Sequence, residues 1–270
     1  MNYEDVVNAV SEIIVKAQTE LPPDVVNALR KAYESEESEI AKRNLEVILQ
    51  NIEIAKKSKL PICQDTGIPF FFVEIGKELK LEFDIKKALA DAVRKLTPAI
   101  LRPNAVHPLT RKNSGDNTGI GVPVVSVEIV EGDRLRIVYM PKGAGSENVS
   151  QLRMFLPMEA EKIKKFVVET VAKAMGMPCP PIVIGLGIGG SFDVSAKLAK
   201  KALLRNLDSM NEFELEILEA VNSLGIGPMG LGGKNTALGV LSEINYCHTA
   251  SLPVAVNIQC WANRRAEVIL

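Results

Sequence analysis

PPIVIGLGIGGSFDVSAKLAKKALLRNL, residues 180–207, changes its hydrophobic period once, and that change decides the fold class. PPIVIGLG, residues 180–187, is short and apolar, with prolines before it and glycines after, which predicts a buried strand. From Ser191 onward apolar residues return at helical spacing, so a helix follows the strand. Gly185, Gly187 and Gly190 fit G-x-G-x-x-G, a pattern that in dinucleotide-binding folds brings backbone onto a pyrophosphate. Such a fold next needs a parallel strand ending in an acid about twenty residues on. Here residues 191–207 and 212–224 both read as helices, with Asp208 in the turn between them. Tight seating of the helix on the strand is the preferred reading, with anion binding at the helix N-terminus as a second use. A dinucleotide-binding oxidoreductase domain remains the alternative from another functional class.

Working outward, residues 157–175 predict a helix, and residues 240–246 and 254–259 predict strands. Residues 122–130 and 135–140 alternate well enough to be strands, and Glu131-Gly132-Asp133 between them predicts a hairpin with antiparallel pairing. PFFFVEIG, after Asp65-Thr66-Gly67, predicts a buried strand, and residues 84–96 a helix. Before these, residues 2–57 carry apolar positions at helical spacing, broken at Pro22-Pro23, which predicts two or three helices. The expected architecture is α/β: a helical N-terminal region, 1–58, followed by a mixed α/β domain, 59–270, with at least one antiparallel strand pair.

Composition narrows the function. With 32 Lys+Arg against 33 Asp+Glu the formal net charge is -1, which gives nucleic-acid capture no support. No stretch of about eighteen apolar residues runs uninterrupted, so no membrane span is expected. The opening MNYEDVVNAVSEIIVKAQTE has acids where a secretory leader would have a basic start and an apolar run, which predicts a cytoplasmic protein.

The four cysteines stand at 63, 179, 247 and 260. Cys63 in PICQDTGIPF and Cys179 in GMPCPPIVIG come just before predicted strands, and Cys260 in NIQCWANRR just after one. Cysteines at strand ends, distant in sequence, can converge at one sheet edge as a metal or cluster cage. Buried cysteine is also ordinary core material, and a structural zinc site that includes Cys247 or His248 is a further alternative. Pro61, Pro178, Pro180 and Pro181 stiffen the backbone around two of the thiols, which favours rigid presentation of sulfur. Cys247, inside a strand pattern, is expected to be core.

Asp65 follows Cys63 by two residues, with Gln64 between them. A carboxylate there can exchange a proton with a hydroxyl held at a metal, although Asp in D-T-G is also a common turn former. In PKGAGSEN, residues 141–148, glycines permit close backbone approach and successive N–H groups can form a nest for a carboxylate. Arg102 and Arg111 lie in loops, where either can clamp a substrate carboxylate. His107 is expected to be structural; His248 is a candidate hydrogen-bond partner behind a ligand.

Taken together, ICQDTG, LRPNAVHPLTRKNSGDNTG, PKGAGSEN, MPCPPIVIGLGIGG, GLGGKNTALGV and CHTASLPVAVNIQCWANRR resemble the N-terminal half, or alpha subunit, of class I fumarate hydratases and L-tartrate dehydratases. The blocks run from about residue 61 to 265. The resemblance implies Cys63, Cys179 and Cys260 as ligands of a 4Fe–4S cluster whose fourth iron has no protein ligand. It also implies Gln64, Asp65, Arg102, Gly143, Ser146, Glu147 and Asn148 as substrate-binding positions, with Asp65 the proton partner of the departing hydroxyl. The loop reads KGAGS where many relatives read KGGGS. The implied activity is hydration and dehydration of a small dicarboxylate, malate and fumarate first, L-tartrate as the alternative. The remaining catalytic residues would come from a separate beta subunit, in a heterodimer or heterotetramer.

Overall fold

The computed structural model describes residues 2–270 and divides into two compact units that interleave along the chain. The first comprises the chain up to Pro22, Ile52–Ala144 and Arg264–Leu270; the second comprises Pro23–Asn51 and Gly145–Asn263. This division differs from the one expected at residues 58 and 59. It falls inside a single helix, because α3 runs from Glu39 to Ser58 after α1 (Tyr3–Thr19) and α2 (Pro23–Ser35).

In the first unit, α1 starts at a reciprocal cap: Asn2 Oδ1 accepts the Asp5 N–H and Asp5 Oδ2 accepts the Asn2 N–H. Helix α4 (Ile85–Leu96) is capped by Asp84, whose carboxylate accepts the N–H groups of Lys86 and Lys87. Both helices pack on a four-stranded sheet of order β2-β1-β3-β8, made of β1 (Ile68–Gly76), β2 (Val124–Val130), β3 (Leu135–Lys142) and β8 (Ala266–Ile269). Val6, Val10 and Ile14 of α1 meet Leu89 and Val93 of α4 and Phe71, Val73, Ile137 and Tyr139 of the sheet in one apolar core.

The hairpin expected from β2 and β3 does not form. Strand β1 lies between them, parallel to β2 and antiparallel to β3. Period-two alternation shows which face of a strand is buried, not which strand is its neighbour. The aromatic run of β1 takes the centre, and the link after β2 crosses its end. There Gly76 donates to the Arg134 carbonyl at 2.8 Å, and a Cβ on Gly76 would stand 2.4 Å from the Gly132 oxygen. Antiparallel pairing is nonetheless present, between β1 and β3 and between β3 and β8.

The second unit holds the short α5 (Ala144–Glu147, from Gly145 on), β4 (Gln151–Phe155), α6 (Ile163–Ala174), β5 (Ile182–Gly190), α7 (Phe192–Ala202), α8 (Glu212–Asn222), β6 (Ala237–Cys247) and β7 (Leu252–Gln259). The sheet order is β4-β7-β5-β6, with β5 parallel to β6 and antiparallel to β7. The helix expected over 157–175 begins as a 3-10 turn, Pro157–Lys162, before α6. On one face, Ile182, Ile184 and Leu186 pack with Val167 and Val171 of α6 and Ile217 and Val221 of α8. On the other lies α7, so close that a Cβ on Gly187 would stand 1.9 Å from the Ser195 oxygen and one on Gly185 2.0 Å from that of Ala199. The glycine pattern is therefore spent on helix packing, the preferred of its two readings.

The two sheets share a plan that no sequence repeat reveals. In each, the first strand of a strand–helix–strand crossover is central, the returning strand is parallel to it, and the next strand pairs on its other side, antiparallel. In each, a glycine ends the central strand, Gly76 in one and Gly190 in the other.

Candidate functional site

In the first unit, the turn from Cys63 to Gly67 leads into β1, and Asp65 and Thr66 within it are tied down at several points. Asp65 Oδ1 accepts the Gly67 N–H at 2.9 Å and Oδ2 accepts the Ala144 N–H at 2.8 Å. The Asp65 carbonyl accepts Arg264 Nη2 at 2.9 Å. The Thr66 carbonyl accepts Gln18 Nε2 at 2.8 Å, while Thr66 Oγ1 accepts the Arg102 N–H and Asn104 Nδ2. Gly67 takes φ +75°, and a Cβ there would sit 2.8 Å from the Lys142 nitrogen, so glycine is required on both counts.

Arg102 is exposed and its Nη1 donates to the Gln64 carbonyl at 3.3 Å. Its loop is held from below by buried Asn117, which accepts the N–H groups of Asn104 and Ala105 and donates to the Arg102 carbonyl at 2.6 Å. Gly143 faces the same carboxylate: a Cβ on it would stand 3.1 Å from Asp65 Oδ2. Gln64, Asp65, Arg102 and Gly143 are thus brought together, with the half-buried Cys63 thiol on the same turn.

In the second unit, Cys179 adopts φ +56° ahead of the cis Pro180–Pro181 bond. Its carbonyl accepts the N–H of Trp261, the residue after Cys260, at 3.2 Å. The segments of these two half-buried cysteines are therefore neighbours at the sheet end. The loop after Gly143 continues here: Gly145 approaches the Met177 carbonyl, buried Ser146 accepts Ser150 Oγ on its carbonyl, and Asn148 is exposed. The Glu147 carboxylate is held by Lys200 Nζ at 2.5 Å and Asn257 Nδ2 at 3.0 Å, which anchors the loop to α7 and β7.

Cys247 is exposed at the end of β6, which corrects its assignment to the core; the burial of β6 stops at Ser242. His248 is exposed in the following turn, where Nδ1 accepts the Ala250 N–H. His107 Nδ1 accepts the N–H groups of Leu109 and Thr110, a structural use. Arg111 is exposed in a turn closed by its own N–H to the His107 carbonyl.

No disulfide joins the four cysteines, and thiolate is the donor that iron–sulfur clusters take. The donor chemistry at Cys63, Cys179 and Cys260 fits such a group. Cys179 and Cys260 belong to the second unit and Cys63 to the first. Among the described residues no group of three His, Cys, Asp or Glu side chains is gathered as a metal site.

Sequence reasoning missed Gln18, Thr66, Tyr139 and Arg264, the buried polar groups beneath the Asp65 turn. One signal was available. Gln18 continues the buried stripe Val10, Ile14 and Ala17 of α1, and a polar side chain on an apolar face has a partner.

Comparison with known proteins adds an independent line. The family model described as fumarate hydratase (Fumerase) matches residues 7–269. A Methanocaldococcus jannaschii protein named putative L(+)-tartrate dehydratase subunit alpha is 51% identical over 271 residues, 96% of this chain and 95% of that one. The L(+)-tartrate dehydratase subunit alpha of Escherichia coli O157:H7 is 35% identical, over 100% of this chain and 93% of its own. A putative fumarate hydratase class I of Geobacillus stearothermophilus is 37% identical over 98% of this chain, but only 55% of that protein is covered.

Proposed function

Since this chain belongs to the fumarate hydratase (Fumerase) family, we propose that it is the alpha subunit of a hydro-lyase acting on a small hydroxydicarboxylate. The observation that carries the reading is the Asp65 turn: a carboxylate fixed by two backbone N–H groups, two residues from a half-buried thiol and beside an exposed arginine. Fixing the carboxylate sets the direction in which it takes or returns a proton. In the forward reaction a C–O bond and a neighbouring C–H bond break, and water leaves. Asp65 gives a proton to the departing hydroxyl, which leaves as water, and takes one back from water in the reverse hydration, while Arg102 binds the adjacent substrate carboxylate as a charge-assisted pair. Gln64, Gly143, Ser146, Glu147 and Asn148 complete the substrate contacts or hold the loop that makes them.

Cys63, Cys179 and Cys260 would hold a 4Fe–4S cluster, which when bound supplies a Lewis acid for the substrate hydroxyl. The base for the C–H proton comes from a beta subunit; the naming of relatives as alpha subunits supports that partner. Malate and fumarate are the proposed pair. A second reading, L(+)-tartrate as substrate, is favoured by the names of two relatives. Among the described residues no helix is long and apolar enough to cross a membrane.

The test is anaerobic turnover of malate, fumarate and L(+)-tartrate by the iron- and sulfide-reconstituted chain mixed with its beta subunit. Fumarate–malate interconversion supports the first reading and oxaloacetate from tartrate the second. Turnover of none of the three removes both.

A further inference from the structure

Arg264 has the largest fully buried side chain of the protein, with 1% of its surface exposed. Its hydrogen bonds among the described residues go to neutral acceptors: Nη1 to Gln18 Oε1 at 2.8 Å and Nη2 to the Asp65 carbonyl at 2.9 Å. Its Nε is buried without a hydrogen-bond partner. A buried cation with no carboxylate on it is unfavourable unless its geometry is needed, because an apolar side chain of similar volume would fill the space at lower cost.

What the fork provides is two parallel donors reaching two separate segments, α1 and the Asp65 turn, at once. Gln18 completes the link. It is fully buried, and its amide must accept from Arg264, which only donates, and donate to the Thr66 carbonyl, which only accepts. The same Nε2 lies 3.1 Å from the Tyr139 hydroxyl. Glutamate at 18 would set two acceptors against each other at Thr66.

We infer that Arg264, through Gln18, is a positioning residue for the reaction: it fixes the backbone of Asp65 and Thr66 and thereby the direction of the Asp65 carboxylate. It touches no reacting atom. The arrangement closes on itself, because the carbonyls of residues 65 and 66 are held from below by Arg264 and Gln18 while the carboxylate is held by Gly67 and Ala144. This role rests on the proposed hydro-lyase reading for its catalytic consequence, but not for its structural one.

The test uses Arg264→Lys, which keeps the charge and loses the fork, and Gln18→Glu, which keeps the acceptor and loses the donor. In the reconstituted complex with the beta subunit, each variant lowers kcat by about ten- to a hundredfold while KM stays within about threefold. In the cluster-free chain, amide exchange accelerates at least about tenfold in peptides covering 62–68 and 141–146, with α4 and α8 unchanged. Wild-type kcat in both variants, or unchanged exchange in those peptides, overturns the inference. Acceleration spread over α4 and α8 also overturns it, since that marks general loosening. An inactive wild-type complex would sink the hydro-lyase reading instead, and the exchange experiment would still decide whether Arg264 holds the turn.

Discussion

Asp65 and Ala144, seventy-nine positions apart, are joined by a 2.8 Å hydrogen bond from the Ala144 N–H to carboxylate Oδ2. The bond explains why the residue before Ala144 is glycine. A Cβ at position 143 would stand 3.1 Å from that same oxygen, closer than most such contacts allow. The departure of this loop from KGGGS leaves the contact intact, because it uses the backbone of Ala144 and the side chain is exposed.

Gly143→Ala therefore pushes on the carboxylate without straining the backbone, since φ at 143 lies outside the left-handed region. The expected outcome is a kcat lowered about tenfold with a melting temperature within about 2 °C of wild type. Steady-state kinetics with a thermal melt check it; unchanged kcat would mean the contact is slack.

The cysteines divide by placement. Cys63→Ser, Cys179→Ser and Cys260→Ser are each expected to abolish binding of the cluster, whereas Cys247→Ser, at an exposed strand end, leaves it intact. Iron and sulfide content of anaerobically reconstituted protein is the readout. Loss confined to Cys247→Ser would reverse the assignment.

Gly187→Ala tests the packing reading of the glycine pattern. A Cβ 1.9 Å from the Ser195 oxygen forces α7 off β5, with an expected loss of about 3 kcal/mol or more of stability in urea unfolding. A neutral substitution would show that α7 is not seated on this strand.

Acid stability follows from two buried carboxylates. Burial pushes the pKa of Glu36 and Glu214 up, but hydrogen bonds outweigh it and hold both below the ordinary glutamate value of 4.5. For Glu36 the donors are Asn235 and the N–H groups of Glu37, Ser38 and Lys234; for Glu214 they are Ser242, Asn211 and Arg205. The folded state thus binds fewer protons than the unfolded one. Their stabilisation is complete above the unfolded value and is lost as pH falls through it toward the folded one. Urea midpoints from neutral pH into the acid range are expected to fall less steeply in Glu214→Gln than in wild type. Identical slopes would contradict this.

Elements were legible wherever one periodicity dominated: the strand of residues 182–190, the helices on either side, and the helical start broken at Pro22-Pro23. Adjacency was not, because the pattern of residues 124–142 is the same whether two strands touch or straddle a third. The chemistry beside Cys63 was legible because Gln64, Asp65 and Cys63 are consecutive. What holds it was not. Gln18 and Arg264 meet the turn from two distant segments, with Tyr139 bonded behind Gln18 from a third, and only hydrogen-bond accounting in three dimensions finds them. Cys247 misled because a strand pattern does not say where burial along that strand stops.

The central claim is that the Asp65 carboxylate is the proton partner of the reaction, and Asp65→Asn tests it most directly. The amide keeps the size of the side chain and an acceptor for one N–H bond while removing the exchangeable charge. In the reconstituted complex with its beta subunit, kcat for dehydration is expected to fall by about two to four orders of magnitude with iron and sulfide content unchanged. Near-wild-type turnover at full cluster content would contradict the account and return Asp65 to the role of a turn residue.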